Sequence, residues 1–361
     1  MDIKTKKMID DLIKEKEYEI LLEILLDLER EGKTSYWLYC NIGWVLGRMG
    51  KREEALEYLK KAEAMEEYDE NGWLCCELAW NYGGLEKHKL AVYYLKKSKE
   101  FGRDDSWQNS ELGWNLGRLG KYQEGLYYLK KSEVAGRSDH WLNSEIGYMY
   151  ENLKNYKEAI NYYKGALVYK NDDIWILSHL GYCYERLDNF NRAIKNFLKA
   201  EELGRNDIWL YSQLGWCYEK IFKHKTSITY LLKAKAKGRD DIWINCELGL
   251  NFGRMRNHNK AIEILKKALE MDKESEGWIE SEIAWNLARL GHHEEAIEYL
   301  KICISKNYYN LVWVKEELAW NLAKLERYEE AYDIYKEIFK KNPTEENKKN
   351  IELLENLLKN K

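Results

Sequence analysis

Apolar positions recur along this chain with two nested periods, one of about 3.6 residues and one of about 34. In residues 107–139 a first stripe falls on Leu112, Leu116 and Leu119, and a second on Tyr122, Leu126 and Leu129, with Gly120 and Lys121 at the break. Each stripe marks one face of an amphipathic helix, so the unit reads as two antiparallel helices and a tight turn. The unit returns down the chain. Trp37, Trp73, Trp107, Trp141, Trp175, Trp209, Trp243, Trp278 and Trp313 open nine copies, spaced by 36, 34, 34, 34, 34, 34, 35 and 35 residues. A 34-residue helix pair cannot bury its own apolar face, so the copies must stack on one another. A single proline, Pro343, in 361 residues agrees with an almost wholly helical chain.

Within each copy a large apolar residue precedes Gly or Ala (Leu78-Ala79, Leu112-Gly113, Ile283-Ala284), and another large residue follows (Tyr82, Leu116, Leu287). An aromatic opens the second helix at Tyr122, Tyr156, Phe190 and Tyr328. Small residues then recur on it at Ala55 and Ala62, Ala159 and Ala166, Ala193 and Ala200, Ala261 and Ala268. This pattern resembles the tetratricopeptide repeat. The resemblance implies an all-α, right-handed superhelical solenoid of helix-turn-helix repeats whose first helices line a concave, peptide-binding surface. We expect a degenerate capping repeat over residues 1–36, nine repeats over 37–343, and a C-terminal capping helix over 344–361 with Thr344 as its N-cap, all in one continuous domain. Most junctions lack the family's proline and carry "GRDD", "GRSD" or "GRND" instead, where Gly ends one helix.

Counting each opening Trp as position i, positions i, i+4, i+7 and i+11 share a helix face, turned away from the partner helix. Position i+7 is Trp44, Trp80, Trp114, Tyr148, Tyr182, Trp216, Leu250, Trp285 and Trp320, so this face is aromatic in every copy. So many rings cannot all face water. Trp107, Trp114, Trp141, Trp175, Trp209 and Trp243 are expected to form a structural ladder between neighbouring first helices. Glu at i+4 and Arg or Lys at i+11 form a charge ladder beside it.

Function is sought where the copies differ. Position i+10 is Gly or Ala in six copies but Glu151, Glu185 and Glu219 in the fourth to sixth, where i+4 also becomes His179 and Gln213 and i+7 becomes Tyr148 and Tyr182. With Arg186, Trp216 and Lys220, these residues make a candidate partner site suited to a basic or hydrogen-bonding peptide.

Composition narrows the classes. Lys and Arg number 58 and Asp and Glu 62, a net charge of −4 that gives no reason to expect nucleic acid or an anionic membrane as partner. The N-terminal residues show neither a secretory signal nor a helix-turn-helix DNA-binding domain, and seven cysteines without a C-x-x-C pair suit a reducing, cytoplasmic setting. "GHHEEA" lacks the second histidine of a zinc motif, and His88, His224, His258 and His293 stand where other copies have Tyr or Phe, so they read as packing residues. No catalytic constellation, metal or cofactor is expected. The reading is a non-catalytic scaffold for a protein or peptide. The alternatives are a sensor that traps a short signalling peptide or a small aromatic ligand, and a structural assembly subunit.

Overall fold

The computed structural model describes residues 3–65, 72–272, 275–308 and 311–359, all of them in helices and connecting turns. Two helices, α1 (Ile3–Glu15) and α2 (Tyr18–Arg30), precede the first tryptophan. The first helices of the repeats are α3 (Tyr36–Arg48), α5 (Trp73–Gly84), α7 (Ser106–Arg118), α9 (His140–Asn152), α11 (Ile174–Glu185), α13 (Ile208–Lys220), α15 (Ile242–Arg254), α17 (Trp278–Arg289) and α19 (Leu311–Lys324). The second helices are α4 (Arg52–Glu63), α6 (His88–Glu100), α8 (Tyr122–Val134), α10 (Tyr156–Tyr169), α12 (Phe190–Glu202), α14 (His224–Ala236), α16 (His258–Met271), α18 (His293–Ser305) and α20 (Tyr328–Lys341), and α21 (Glu345–Lys359) follows them. The chain is an all-α repeat solenoid.

Contacts divide it into two compact units, residues 1–183 and 184–361, the division falling inside α11. In the first unit each helix from α1 to α9 packs on the next, and α3, α5, α7 and α9 also touch one another in sequence. The second unit repeats the scheme, with α13, α15, α17 and α19 in direct succession and α21 against α20. Each unit therefore has a layer of first helices backed by a layer of second helices.

Leu112 and Leu116 are completely buried, and so are the small second-helix residues Ala55, Ala62, Ala159, Ala166, Ala261 and Ala268. Each fully buried leucine contributes about 1.5–3 kcal/mol relative to exposure. The small residues set the helix spacing: at Gly113 a Cβ would lie 2.7 Å from the carbonyl oxygen of Gly125, so the two backbones touch. In the last helix the Thr344 Oγ1 accepts the Asn347 amide at 3.2 Å, an N-cap bond.

The "GRxD" junction is a compact turn. Gly102, Gly136, Gly204 and Gly238 adopt φ of 86°, 91°, 104° and 106°, which ends the preceding helix. Three residues on, Asp105, Asp139, Asp207 and Asp241 cap the next helix through Oδ1, accepting the amides of Gln108, Leu142, Leu210 and Ile244 at 2.7–2.9 Å. The arginine between them reaches the same aspartate: Nε of Arg103, Arg137, Arg205 and Arg239 lies 2.7–2.8 Å from its Oδ2. One carboxylate thus holds both the helix start and the arginine.

Candidate functional site

The aromatic face of the first helices is the part of each unit with the most unusual chemistry. Its i+7 rings are clamped by arginines. Arg48 lies over both Trp44 and Trp80, at 5.5 and 4.1 Å from the ring centres, and Arg118 over Trp114 and Tyr148 at 5.6 and 5.1 Å. In the second unit Arg289 spans Trp285 and Trp320 at 5.4 and 5.1 Å, and Lys220 sits 3.9 Å from Trp216. Direct ring contacts of the expected ladder occur at Tyr148 with Trp175, 6.0 Å, and at Trp216 with Trp243, 6.4 Å. The commoner rung is cationic, because a flat guanidinium fits between two rings at the repeat spacing where the rings alone would not meet.

The same arginines carry the charge ladder. Arg48 pairs with Glu77 at 3.1 Å, Arg118 with Glu145 at 3.0 Å, Arg254 with Glu282 at 3.6 Å and Arg289 with Glu317 at 3.5 Å, each reaching from one repeat to the next. Where the preceding repeat offers no such partner, the carboxylate stays unpaired. Position i+11 of the second repeat is Gly84, and among the described residues no ion pair reaches Glu111; burial pushes its pKa up to about 7 against the opposing pull of Arg137, Arg52 and Arg48. Glu247 rises to about 7 as well, through burial first and then Glu219.

The opening tryptophans are treated differently. The junction arginines cover four of them: Arg103 over Trp107 at 5.5 Å, Arg137 over Trp141 at 4.7 Å, Arg205 over Trp209 at 4.5 Å and Arg239 over Trp243 at 4.2 Å. Sequence reasoning missed this use of the arginine, although it stands four residues before a tryptophan in every "GRxD" copy. Even so, Trp37, Trp175 and Trp209 remain 40%, 40% and 37% exposed, whereas Trp107, Trp114, Trp141 and Trp243 are half-buried.

The candidate residues of the fourth to sixth repeats fall in both units. In the first, Glu151 accepts from the Tyr163 hydroxyl at 2.8 Å and bonds His179 Nδ1 at 2.9 Å, with the Cys183 thiol 3.6 Å away. Its carboxylate is committed to its own repeat and the next. His179 in turn stacks on Trp175, ring centres 4.0 Å apart, and meets Tyr148 edge-on at 6.2 Å. Tyr182 is half-buried, with Tyr156 edge-on at 6.4 Å. In the second unit Glu185 is 8% exposed, one of its oxygens has no hydrogen-bond partner among the described residues, and burial raises its pKa to about 7 against the opposing charge of Arg186. Glu219 forms an ion pair with Lys220 at 3.1 Å; both are half-exposed, as are Gln213 and Trp216, and Arg186 is exposed.

The histidines that open second helices do more than fill space. Nδ1 of His88, His224, His258 and His293 lies 2.9–3.0 Å from Oδ1 of Asn115, Asn251, Asn286 and Asn321, the i+8 residues of the following repeats. Three of the rings also meet the neighbouring i+7 tryptophan edge-on: His88 with Trp114, His258 with Trp285 and His293 with Trp320. Among the described residues no group of three His, Cys, Asp or Glu is placed to hold a metal ion, and the seven cysteines form no disulfide.

Compared with known proteins, the sequence matches the tetratricopeptide repeat model at residues 38–69, 143–173, 176–207 and 244–275. No curated protein matches it. Among solved structures, the C-terminal part of a TPR repeat-containing protein from Cytophaga hutchinsonii aligns over 64% of this chain and 95% of its own, at 19% identity and a TM-score of 0.51. YrrB, described as a TPR protein with an unusual peptide-binding site, aligns over 50% of this chain and 93% of its own at 19% identity and a TM-score of 0.45. A MamA fragment from Desulfovibrio magneticus aligns over 46% and 94% at 24% identity and a TM-score of 0.43.

Proposed function

Because the chain is a tetratricopeptide repeat protein, we propose that it is a non-catalytic scaffold that binds a protein segment on the tryptophan-bearing faces of its first helices. The observation that carries this reading is the exposure of Trp37, Trp175 and Trp209, at 37–40%, in a molecule that lays arginines over Trp44, Trp80, Trp114, Trp285 and Trp320, with Trp209 staying open even beneath Arg205. Large rings left partly open on a rigid backing make binding anchors, since little side-chain entropy is lost when a partner covers them. In the fourth to sixth repeats the half-exposed Trp216, Gln213, Glu219 and Lys220, with Arg186, contact the partner directly, and Tyr148, Tyr182 and His179 do so beside Trp175. Glu151 acts from behind, holding His179 through its carboxylate, and its charge favours a basic segment, while the buried Glu185 lies beneath the helix face that carries Arg186.

Photo-crosslinking in the cell of origin tests this. With p-benzoylphenylalanine at position 175 or 209, the same protein partner should be captured, while the exposed second-helix positions Tyr93 and Tyr127 should give none. Trp175→Ala and Trp209→Ala should each weaken copurification by about tenfold or more, as anchor truncations do. Capture only from positions 93 and 127, or a retained metabolite with no protein, would reject the reading.

A further inference from the structure

The second unit contains a cavity of about 460 Å³ between α19, α20 and α21, walled by Trp313 and Trp320 of α19. Three carboxylates line it, Glu316 and Glu317 from α19 and Glu346 from the first turn of α21, against one cation, Arg289. That leaves a formal excess of two negative charges. Part of this charge is already engaged: Glu317 pairs with Arg289 at 3.5 Å, and Glu316 Oε1 accepts from the Asn347 side-chain Nδ2 at 3.1 Å. Glu317 Oε2, however, is buried without a hydrogen-bond partner, and Glu346 has no ion pair among the described residues. All three carboxylates act on the buried Tyr335 hydroxyl, whose pKa burial, together with their charge, pushes up to about 12.

Trp313 also lacks a cover that four of its counterparts have. Trp107, Trp141, Trp209 and Trp243 each receive an arginine from the preceding "GRxD" junction, but the segment before Trp313 reads "SKNYYNLV" and contains none. The indole that in those four repeats is covered by a guanidinium of the chain stands here on the wall of an acidic cavity. We propose that this cavity binds an arginine side chain of a partner segment, its guanidinium against Trp313 and its N–H groups on Glu316, Glu317 and Glu346. A guanidinium is planar and carries five donors, so it can lie flat on an indole face while its in-plane N–H groups reach two carboxylates, a fit that a compact, more strongly hydrated ammonium matches less well. The excess negative charge disfavours phosphates and carboxylates as ligands. The scaffold reading enters only in naming the source of the arginine; the chemistry of the cavity stands without it.

The full-length chain labelled with 5-fluorotryptophan provides a local readout by ¹⁹F NMR, the Trp313 and Trp320 signals being assigned from Trp313→Phe and Trp320→Phe. N-acetyl-arginine methylamide should shift the Trp313 signal saturably, with N-acetyl-lysine methylamide about tenfold weaker and the neutral citrulline analogue inactive. Glu316→Gln with Glu346→Gln should weaken the arginine derivative about tenfold or more, with circular dichroism unchanged. A Trp313 signal that ignores arginine, or that responds equally to citrulline or lysine, overturns the proposal, and this comparison needs only the unmutated chain. Failure of the crosslinking at Trp175 and Trp209 with success here would reject the first-helix scaffold reading and leave the cavity standing; the reverse result would reject the cavity alone.

Discussion

Phe222 holds φ at 60° with 82% of its surface exposed, at the turn between the two helices of the sixth repeat. Every repeat places a left-handed residue at this point. Gly50, Gly120 and Gly291 fill it in three copies, whereas Glu86, Lys154, Asp188, Phe222, Arg256 and Glu326 adopt φ of 56–62° in the others. A side chain there costs roughly 1–2 kcal/mol, because Cβ crowds the following carbonyl. Phe222→Gly should therefore raise the unfolding free energy by about 1 kcal/mol, net of the greater freedom glycine brings to the unfolded chain, as read from urea titrations at fixed pH. Opposing this, among the described residues, is an edge-on approach to His224 at 6.2 Å, which solvent already weakens. A loss of stability in the variant would show that this ring contact outweighs the backbone strain.

At the scale of the element, neighbouring helix pairs are matched by residues that change together. Where a second helix opens with His, the following first helix carries Asn at i+8, as in His88 with Asn115 and His258 with Asn286; where it opens with Tyr or Phe, that position is Met149, Cys183 or Cys217. The reason is hydrogen-bonding capacity. Asn286 is fully buried, its amide donates to the Glu282 carbonyl at 2.7 Å, and its Oδ1 faces His258 Nδ1 at 2.9 Å. Asn81 shows the alternative: the preceding second helix opens with Arg52, which bonds the Trp80 carbonyl instead, and Asn81 Oδ1 is left without a partner among the described residues. His258→Tyr and Asn286→Met should each cost about 1–3 kcal/mol, and the double variant less than their sum by about 1 kcal/mol in a double-mutant cycle. Strict additivity would mean that the pair is incidental. The 34-residue period, the two helices and the identity of the buried stripe were legible along the sequence, because a helix imposes its 3.6-residue spacing locally. The ring clamps and the His–Asn pairs were not, since each partner lies 27–32 residues away in the next repeat and shows itself only when columns of the repeat are compared in pairs. For the candidate site the difference in the fourth to sixth repeats was visible, but not that Glu151 spends its carboxylate on Tyr163 and His179, residues of a helix and a repeat that no motif joins to it.

For the whole molecule, the consequence of building an aromatic face over buried carboxylates is a stability that depends on pH near neutrality. Glu111, Glu185 and Glu247 have pKa values raised from 4.5 to about 7, burial being the largest cause in each, and burial also raises Glu77, Glu145, Glu282 and Glu317 against their arginine partners. Between pH 4.5 and about 7 the folded chain therefore holds protons that the unfolded chain has released. With more protons bound in the folded state, the unfolding free energy must fall as pH rises through this window, by up to about 1.4 kcal/mol per pH unit for each such group. The capping aspartates work in the opposite sense. Asp139, Asp207 and Asp241 are lowered by their backbone amide and arginine bonds, which outweigh a burial penalty, so their contribution is lost as pH falls below the ordinary carboxylate range. The two trends place maximal stability at about pH 4 to 5, at the lower edge of this window. Urea midpoints should accordingly be higher at pH 5.5 than at pH 8, and the combined substitution Glu111→Gln, Glu185→Gln and Glu247→Gln should raise the pH 8 midpoint and flatten the slope above pH 5.5. A midpoint that rises from pH 5.5 to pH 8 would show that these carboxylates remain ionised in the fold, with the neighbouring arginines and Lys220 prevailing over burial.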